Sequence, residues 1–179
     1  MTAMEFLESP LLAAVPGLLH GFGLRFPGPR EDARSAARAV FAGRGTVYFL
    51  RQVHGCEVAT PPWTEPPSAD GSITEGPGSI LAIETADCLP VLIVDPVARR
   101  VAAAHAGWRG TAKEVARRAV ESLLAAGSRV DDLIAALGPS NGPCCYEVGP
   151  DVEEAFGAEG ARFFVPGRSV RKHLDVAAA

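Results

Sequence analysis

Two histidines and one cysteine are the residues of this sequence best suited to bind a metal ion. His54, Cys88 and His105 each lie beside small residues and near an apolar run typical of a strand. Two His and one Cys with an open fourth position form a known catalytic zinc arrangement, because the open position binds water. The separations of 34 and 17 residues match no compact metal-binding pattern. From these residues alone, two hydrogen-bonded histidines and one buried thiol are the favoured interpretation.

Charged side chains and further thiols lie near these three residues in the sequence. Asp87 could orient a ligand or protonate a leaving group, and a turn residue at a strand end is the simpler alternative. Arg51 and Arg109 could each hold an anion through two N–H groups, although most arginines merely face solvent. Cys144 and Cys145 are adjacent in a loop rich in Gly and Pro. They offer a second thiol site or, more simply, a packed turn.

The composition is that of an ordinary globular domain of 179 residues, with 47% hydrophobic and 21% charged residues. A net charge of -4 gives no basic patch of the kind that binds nucleic acid phosphates. No secretory signal is evident, and no run approaches the roughly 20 apolar residues that span a bilayer. Two of the four cysteines are adjacent, which argues against a disulfide framework. We therefore expect a cytoplasmic protein whose thiols are reduced or metal-bound.

Short apolar runs alternate with two helical segments, which predicts an α+β fold: a layered sandwich with a mixed β-sheet flanked by helices. The strands predicted for this sheet are residues 47–50, 80–83, 91–94, 101–104 and 133–137. Thr111 and Glu114 match a capping box, so one helix should begin there and end at Gly127. Further helices are predicted for residues 32–41 and 150–156, and the chain from His173 onwards resembles the start of another.

Five blocks of the sequence together carry a family resemblance. They are RQVHG (51–55), ADGSIT (69–74), ADCLPV (86–91), HAGWRGT (105–111) and GPCCYEVG (142–149). In this order they resemble the YfiH-like laccase-domain proteins, a family also described as polyphenol-oxidase-like and as purine nucleoside phosphorylases. The family's metal ligands fall on His54, Cys88 and His105, so the resemblance reverses the preference above. We assign catalysis to these three residues and Asp87, and substrate binding to Arg51, Gln52 and Arg109.

The resemblance implies a zinc-dependent enzyme of purine nucleosides, with copper as the alternative metal. Members phosphorolyse adenosine, inosine or methylthioadenosine to the free base and ribose 1-phosphate, and they deaminate adenosine. The expected partners are thus a nucleoside and phosphate, with no nucleic acid and no membrane, and a homodimer is left open. The alternatives are a laccase-like copper polyphenol oxidase, a hydrolase of peptidoglycan editing with Cys88 as nucleophile, and a non-catalytic zinc module. Four histidines cannot supply both a blue-copper site and a trinuclear copper cluster.

Two regions depart from the family pattern. The segment after Phe22 lacks the family's Gly-rich turn, and the family's C-terminal part is absent. We expect residues 1–179 to form a single catalytic domain that lacks this part. An apolar face should then be uncovered near residues 133–137 or near the Cys144-Cys145 loop. Such a face favours self-association.

Overall fold

The computed structural model describes residues 5–24, 28–167 and 171–179 and has the predicted α+β sandwich fold. The strands are β1 (Phe6–Leu7), β2 (Phe22–Gly23), β3 (Thr46–Phe49), β4 (Val58–Ala59), β5 (Gly71–Ile73), β6 (Ser79–Ala82), β7 (Leu89–Asp95), β8 (Arg100–Ala106), β9 (Ile134–Leu137), β10 (Glu147–Val148), β11 (Phe164–Pro166) and β12 (Lys172–Leu174). The helices are α1 (Pro10–Ala13), α2 (Arg30–Val40), α3 (Trp108–Ala112), α4 (Val115–Ala125) and α5 (Pro150–Phe156). Short 3₁₀ turns cover Val130–Asp132 and Glu159–Phe163.

The main sheet has five strands in the order β4-β5-β8-β7-β9. Strands β4 and β5 are parallel, and the other neighbours are antiparallel, so the sheet is mixed as predicted. Its centre is the hairpin of β7 and β8, whose register runs from Leu89↔Ala106 to Asp95↔Arg100. The turn of this hairpin lies far from its open end, where Cys88 and His105 are found.

Each face of the main sheet packs against different helices. Alternate residues of β8, among them Ala102, Ala104 and Ala106, contact the buried face of α4, which includes Val115 and Leu123. The opposite face packs Val94 and Ala136 against Leu12 of α1 and Phe22. Because successive side chains of a strand point to opposite faces, His105 points away from α4.

The prediction that one sheet holds all five apolar runs is wrong for two of them. Strands β3 and β6 form a separate parallel pair, with Val47 opposite Ile80. Side chains of β6 are only partly buried, whereas those of β7 are almost all buried. Both runs are apolar and short, and periodicity in a short run does not say which sheet a strand joins.

The predicted helix start at Thr111 is also wrong. Helix α3 already begins at Trp108 after Gly107, and Thr111 lies within it. Glu114 adopts a left-handed conformation with φ 60°, which ends α3 and precedes α4. The Glu114 carboxylate accepts hydrogen bonds from Arg117 at 3.1 Å and makes no cap contact. The predicted end of this helix at Gly127 is confirmed for α4, since Gly127 has φ 97° and its N–H donates to Leu124 O.

The C-terminal segment forms a strand where a helix was expected. Strand β12 pairs with both β10 and β11 in a small antiparallel sheet. Leu174 and Val176 are buried against the α4 face of the main sheet, which explains the strand: the segment is held by packing and cross-strand bonds.

Helix α5 has the predicted bounds. No helix among the described ranges is long and apolar enough to cross a membrane.

Candidate metal centre

The structure brings His54, Cys88 and His105 together at the open end of the β7–β8 hairpin. One ligand atom from each residue lies within 4.8 Å of the other two. The rings of the two histidines meet edge to face with centroids 4.8 Å apart. His105 is buried, Cys88 is half-buried and His54 is exposed, so the cluster has one side towards solvent. Across residues 5–24, 28–167 and 171–179, this is the one such cluster of three His, Cys or acidic residues.

Different elements carry the three residues to this place. Cys88 directly precedes β7, and His105 is the last residue but one of β8. Because Leu89 pairs with Ala106 and Pro90 with His105, the hairpin register itself sets Cys88 beside His105. His54 comes from the loop that follows β3, and this loop needs contacts of its own to reach the hairpin.

The loop of residues 53–55 wraps around the carboxylate of Asp70, a residue that the sequence analysis named only within the block ADGSIT (69–74). The carboxylate accepts hydrogen bonds from the backbone N–H groups of Val53 at 3.0 Å, His54 at 3.0 Å and Gly55 at 2.7 Å. Successive N–H groups around a left-handed residue form a concave anion site, and His54 has φ 57°. The three charge-assisted bonds offset the strain of a positive φ at a residue with a side chain.

The same carboxylate also contacts His105. Its Oδ1 lies 2.8 Å from Nδ1 of the His105 ring, and Asp70 is completely buried. The backbone N–H of His105 donates to Asp70 O at 2.7 Å. Burial acts to raise the pKa of Asp70, but the hydrogen bonds from His105, Gly55 and Val53 outweigh it and leave the pKa below its ordinary value. Asp70 therefore joins two of the three residues of the cluster.

A second set of contacts ties the loop of His54 to the loop of Cys88. The amide of Gln52 donates to Glu84 O at 2.7 Å and accepts from Glu84 N–H at 2.8 Å. The carboxylate of Glu84 binds Arg30 at 2.5 Å and Arg34 at 2.6 Å, both on α2. These contacts give Gln52 a positioning role. Its predicted contact with substrate stays a prediction.

Gly107 leaves the space that an ion between the ligands would need. A Cβ at this position would lie 2.8 Å from Cys88 Sγ and 3.2 Å from Cδ2 of His54. Two imidazoles and one thiol are also the donor types that zinc and copper prefer. Asp70 occupies Nδ1 of His105, so Nε2 is left for an ion. The residues present thus fit a bound transition metal.

Burial raises the pKa of the Cys88 thiol, and the nearby carboxylates of Asp87 and Asp70 raise it further. A thiol in this setting is protonated at neutral pH unless a cation binds it. This disfavours Cys88 as a nucleophile in metal-free hydrolysis, since such a nucleophile needs a lowered pKa.

The contacts of Arg51, Arg109 and Asp87, the other predicted site residues, are with residues outside the cluster of His54, Cys88 and His105. Nε of the exposed Arg51 donates to Ser68 Oγ at 2.8 Å, next to the bridge between these two residues. Arg109 is exposed at α3, and its guanidinium lies 4.1 Å from the centroid of the Trp108 ring. Asp87 is exposed beside Cys88, and its backbone O accepts from Asn141 N–H at 2.9 Å.

Tyr146 is a further neighbour that sequence reasoning missed. Burial raises the pKa of its phenol, the charges of Cys88 and Asp87 raise it further, and Arg109 lowers it. The phenol is therefore within electrostatic reach of three predicted site residues, and it stays protonated at neutral pH. The available signal was its position, because Tyr146 directly follows Cys144 and Cys145 in the block GPCCYEVG (142–149). Cys144 Sγ lies 2.8 Å from Cys145 Sγ.

Comparison with known proteins gives the family. The protein-family model described as multi-copper polyphenol oxidoreductase laccase matches residues 30–179 of this chain. The chain belongs to this family. A Deinococcus radiodurans protein named purine nucleoside phosphorylase is 42% identical over 157 residues, which cover 84% of this chain. The resemblance to YfiH-like laccase-domain proteins is thereby confirmed.

Other relatives of this laccase-domain chain carry related names. A protein named adenosine deaminase RL5, from an unknown prokaryotic organism, is 40% identical over 116 residues, which cover 62% of this chain. The crystal structure of the hypothetical protein YfiH from Bacillus licheniformis superposes with a TM-score of 0.72 at 27% identity, covering 82% of this chain. The chain spans 61% of the Deinococcus relative, 44% of the deaminase and 61% of the YfiH structure.

Proposed function

We propose that this chain is the metal-binding part of a purine nucleoside enzyme, and that zinc is its metal. The observation that carries the proposal is the convergence of His54, Cys88 and His105, whose ligand atoms lie within 4.8 Å of one another. The names of the relatives support the substrate class, because they include purine nucleoside phosphorylases and an adenosine deaminase. Metal binding itself is indicated by the family and by the His-Cys-His cluster.

Deamination and phosphorolysis of a nucleoside would use the residues around this centre in different ways. A bound zinc ion would supply a nucleophile from water near neutral pH, which suits deamination at C6 of adenosine. In phosphorolysis, a phosphate oxygen forms the new bond to C1′ of the ribose while the bond from C1′ to the purine nitrogen breaks. Arg51 and Arg109 would hold the phosphate through charge-assisted hydrogen bonds, and Asp87 would assist the departing base.

A multi-copper oxidase is the second candidate, because the family description names one. The hydrogen bonds of the other two histidines, His20 and His173, argue against a multi-copper site. Nε2 of His20 accepts from Ser9 N–H at 2.9 Å, and Nδ1 of His173 lies 2.7 Å from Pro143 O. Of the four histidines, two are thus occupied away from the centre, and the other two supply one site. A single copper ion at His54, Cys88 and His105 is the form of this candidate that the chain could accommodate.

The experiment that tests the proposal combines metal analysis with product analysis. The purified chain is assayed for zinc and copper, and adenosine is then incubated with it in the presence and absence of phosphate. Chromatography separates adenine with ribose 1-phosphate, which only phosphorolysis produces, from inosine, which deamination produces. We expect bound zinc and at least one of these products. Oxygen uptake with a phenol, dependent on copper and without nucleoside products, would favour the oxidase.

A further inference from the structure

The carboxylate of Asp70 stands between two proposed metal ligands. Its Oδ2 accepts from the N–H groups of Val53 and Gly55, and its Oδ1 accepts from His54 N–H and faces Nδ1 of His105. Three of these four partners are backbone N–H groups, which only donate. The carboxylate therefore serves as an acceptor throughout, and Nδ1 of His105 must carry the proton of the fourth bond.

We propose that Asp70 is a positioning residue that fixes the tautomer of His105 and the conformation of His54, so that both rings are presented to the metal. The inference rests on the proposed metal centre, and it names a residue outside the ligand set. With the proton on Nδ1, the lone pair of His105 Nε2 is free to bind an ion. Partners of this kind orient metal-bound histidines and raise their basicity.

The exchange Asp70→Asn tests this role because the amide keeps the size of the side chain but has one donor end. If the amide NH₂ took the place of Oδ2, it would face two other donors, Val53 N–H and Gly55 N–H, and a backbone N–H cannot become an acceptor. If the NH₂ took the place of Oδ1, it would face one such donor, His54 N–H, and Nδ1 of His105, which becomes an acceptor when the ring changes its tautomer. Asn should thus turn its NH₂ towards His105 and leave the proton on Nε2, the nitrogen that the ion needs.

The matched control is Asp95→Asn. Asp95 is also almost completely buried, and its Oδ1 accepts from Val97 N–H at 2.9 Å and Ala98 N–H at 2.7 Å. It ends β7, whereas Cys88 precedes the start of this strand, so about 20 Å separate the two at the usual rise of a strand. Both exchanges disturb a buried carboxylate that binds backbone N–H groups, and only Asp70→Asn disturbs one that touches His105.

The first measurement is the tautomer of His105 in the metal-free chain, read from long-range ¹H–¹⁵N correlation spectra. The signal of His105 is assigned by its loss in His105→Gln. We expect the proton on Nδ1 of His105 in the unaltered chain and on Nε2 of His105 in Asp70→Asn. The control Asp95→Asn should keep the proton on Nδ1. A proton on Nε2 in the unaltered chain, or no change in Asp70→Asn, overturns the inference.

The second measurement is the affinity for zinc, obtained by competition with a chromophoric chelator. Loss of a partner of this kind should weaken zinc binding about 10- to 100-fold in Asp70→Asn, with Asp95→Asn unchanged. Equal affinities in Asp70→Asn and the unaltered chain contradict the inference. If the unaltered chain binds no zinc or copper, the proposed metal centre fails, while the tautomer measurement still decides whether Asp70 controls His105.

Discussion

A single glycine controls the space between two of the proposed ligands. In Gly107→Ala the new Cβ would lie 2.8 Å from Cys88 Sγ, closer than such atoms pack, and 3.2 Å from the His54 ring. We expect the ligands to be pushed apart and zinc affinity to fall at least about 10-fold, as in other disturbed metal sites. Chelator competition measures the change.

The matched control for this exchange is Gly76→Ala, because no atom lies within 4 Å of a Cβ at Gly76. Both variants should unfold at similar urea concentrations if the effect at Gly107 is local. Zinc affinity in Gly107→Ala equal to that of Gly76→Ala would show that the ligand geometry tolerates the methyl group.

At the scale of residues, the sequence points to the three ligands but not to the contacts that hold them in place. His54, Cys88 and His105 stand in blocks with a family resemblance, and it is this resemblance that predicts them as metal ligands, because their residue types alone favour two hydrogen-bonded histidines and a buried thiol. Asp70 followed by Gly71 has the composition of a turn, and nothing local shows that its carboxylate is buried. Its role depends on contacts 15 to 35 positions away along the chain. Such contacts follow from the tertiary fold and leave no short pattern.

At the scale of elements, the ion pairs of Glu84 link α2 to the loop that leads to Cys88. Burial acts to raise the pKa of Glu84, but the guanidinium groups of Arg30 and Arg34 outweigh it and hold the pKa below its ordinary value of 4.5. A carboxyl group with a lowered folded-state pKa stabilises the fold at a pH above its unfolded-state pKa. This stabilisation is lost as the pH falls through the folded-state pKa.

We therefore expect Glu84→Gln to be less stable than the unaltered chain at pH 7 by up to about 1 kcal/mol, since the pair is only partly buried. The difference should persist down to about pH 4.5 and vanish at more acidic pH. Urea unfolding in the presence of a chelator, repeated across this pH range, measures it. Glu121→Gln is the control, because Glu121 forms an exposed pair with Arg117 on α4. A difference for Glu84→Gln that is the same at pH 3 and pH 7 would contradict the argument.

The elements that the sequence predicted well are those with a strong local signal. The hairpin of β7 and β8 has long apolar runs on either side of a turn, and helix α5 begins with Pro150 after Gly149. The predictions failed where tertiary contacts override local preference. Thr111 and Glu114 have the letters of a capping box, yet Glu114 takes a left-handed conformation between two helices. The Ala-rich end of the chain follows a strand because Leu174 packs into the core.

At the scale of the whole molecule, the expectation of self-association stays a prediction. Strand β9 is an edge of the main sheet, and 52% of Leu137 is exposed there. An edge strand with an exposed apolar side chain can pair with a second copy, and lysine at an edge prevents this. We expect sedimentation coefficients that rise with concentration and a smaller rise in Leu137→Lys. Val97→Lys is the control, since Val97 is 73% exposed in the turn after β7. A monomer at all concentrations would refute the prediction.

The proposed metal centre should also stabilise the fold as a whole, because it joins three parts of the chain that are distant in sequence. His54 follows β3, Cys88 precedes β7 and His105 lies in β8. A ligand that binds only the folded state stabilises it by about 2.7 kcal/mol at 100 times its dissociation constant. For a domain of this size, that corresponds to a rise of about 5–11 °C in Tm.

We expect this rise on adding zinc to the metal-free chain, measured by differential scanning calorimetry, and its loss in Cys88→Ser, where a thiolate ligand is replaced by a weaker hydroxyl. Cys144→Ser is the matched control, because Cys144 is exposed in a loop and stands outside the cluster of His54, Cys88 and His105. A zinc-dependent rise that persists in Cys88→Ser and disappears in Cys144→Ser would move the metal to the loop of Cys144 and Cys145. An equal rise in the unaltered chain, Cys88→Ser and Cys144→Ser would mean that zinc binds elsewhere. The segments that carry His54, Cys88 and His105 would then be held together without a metal ion.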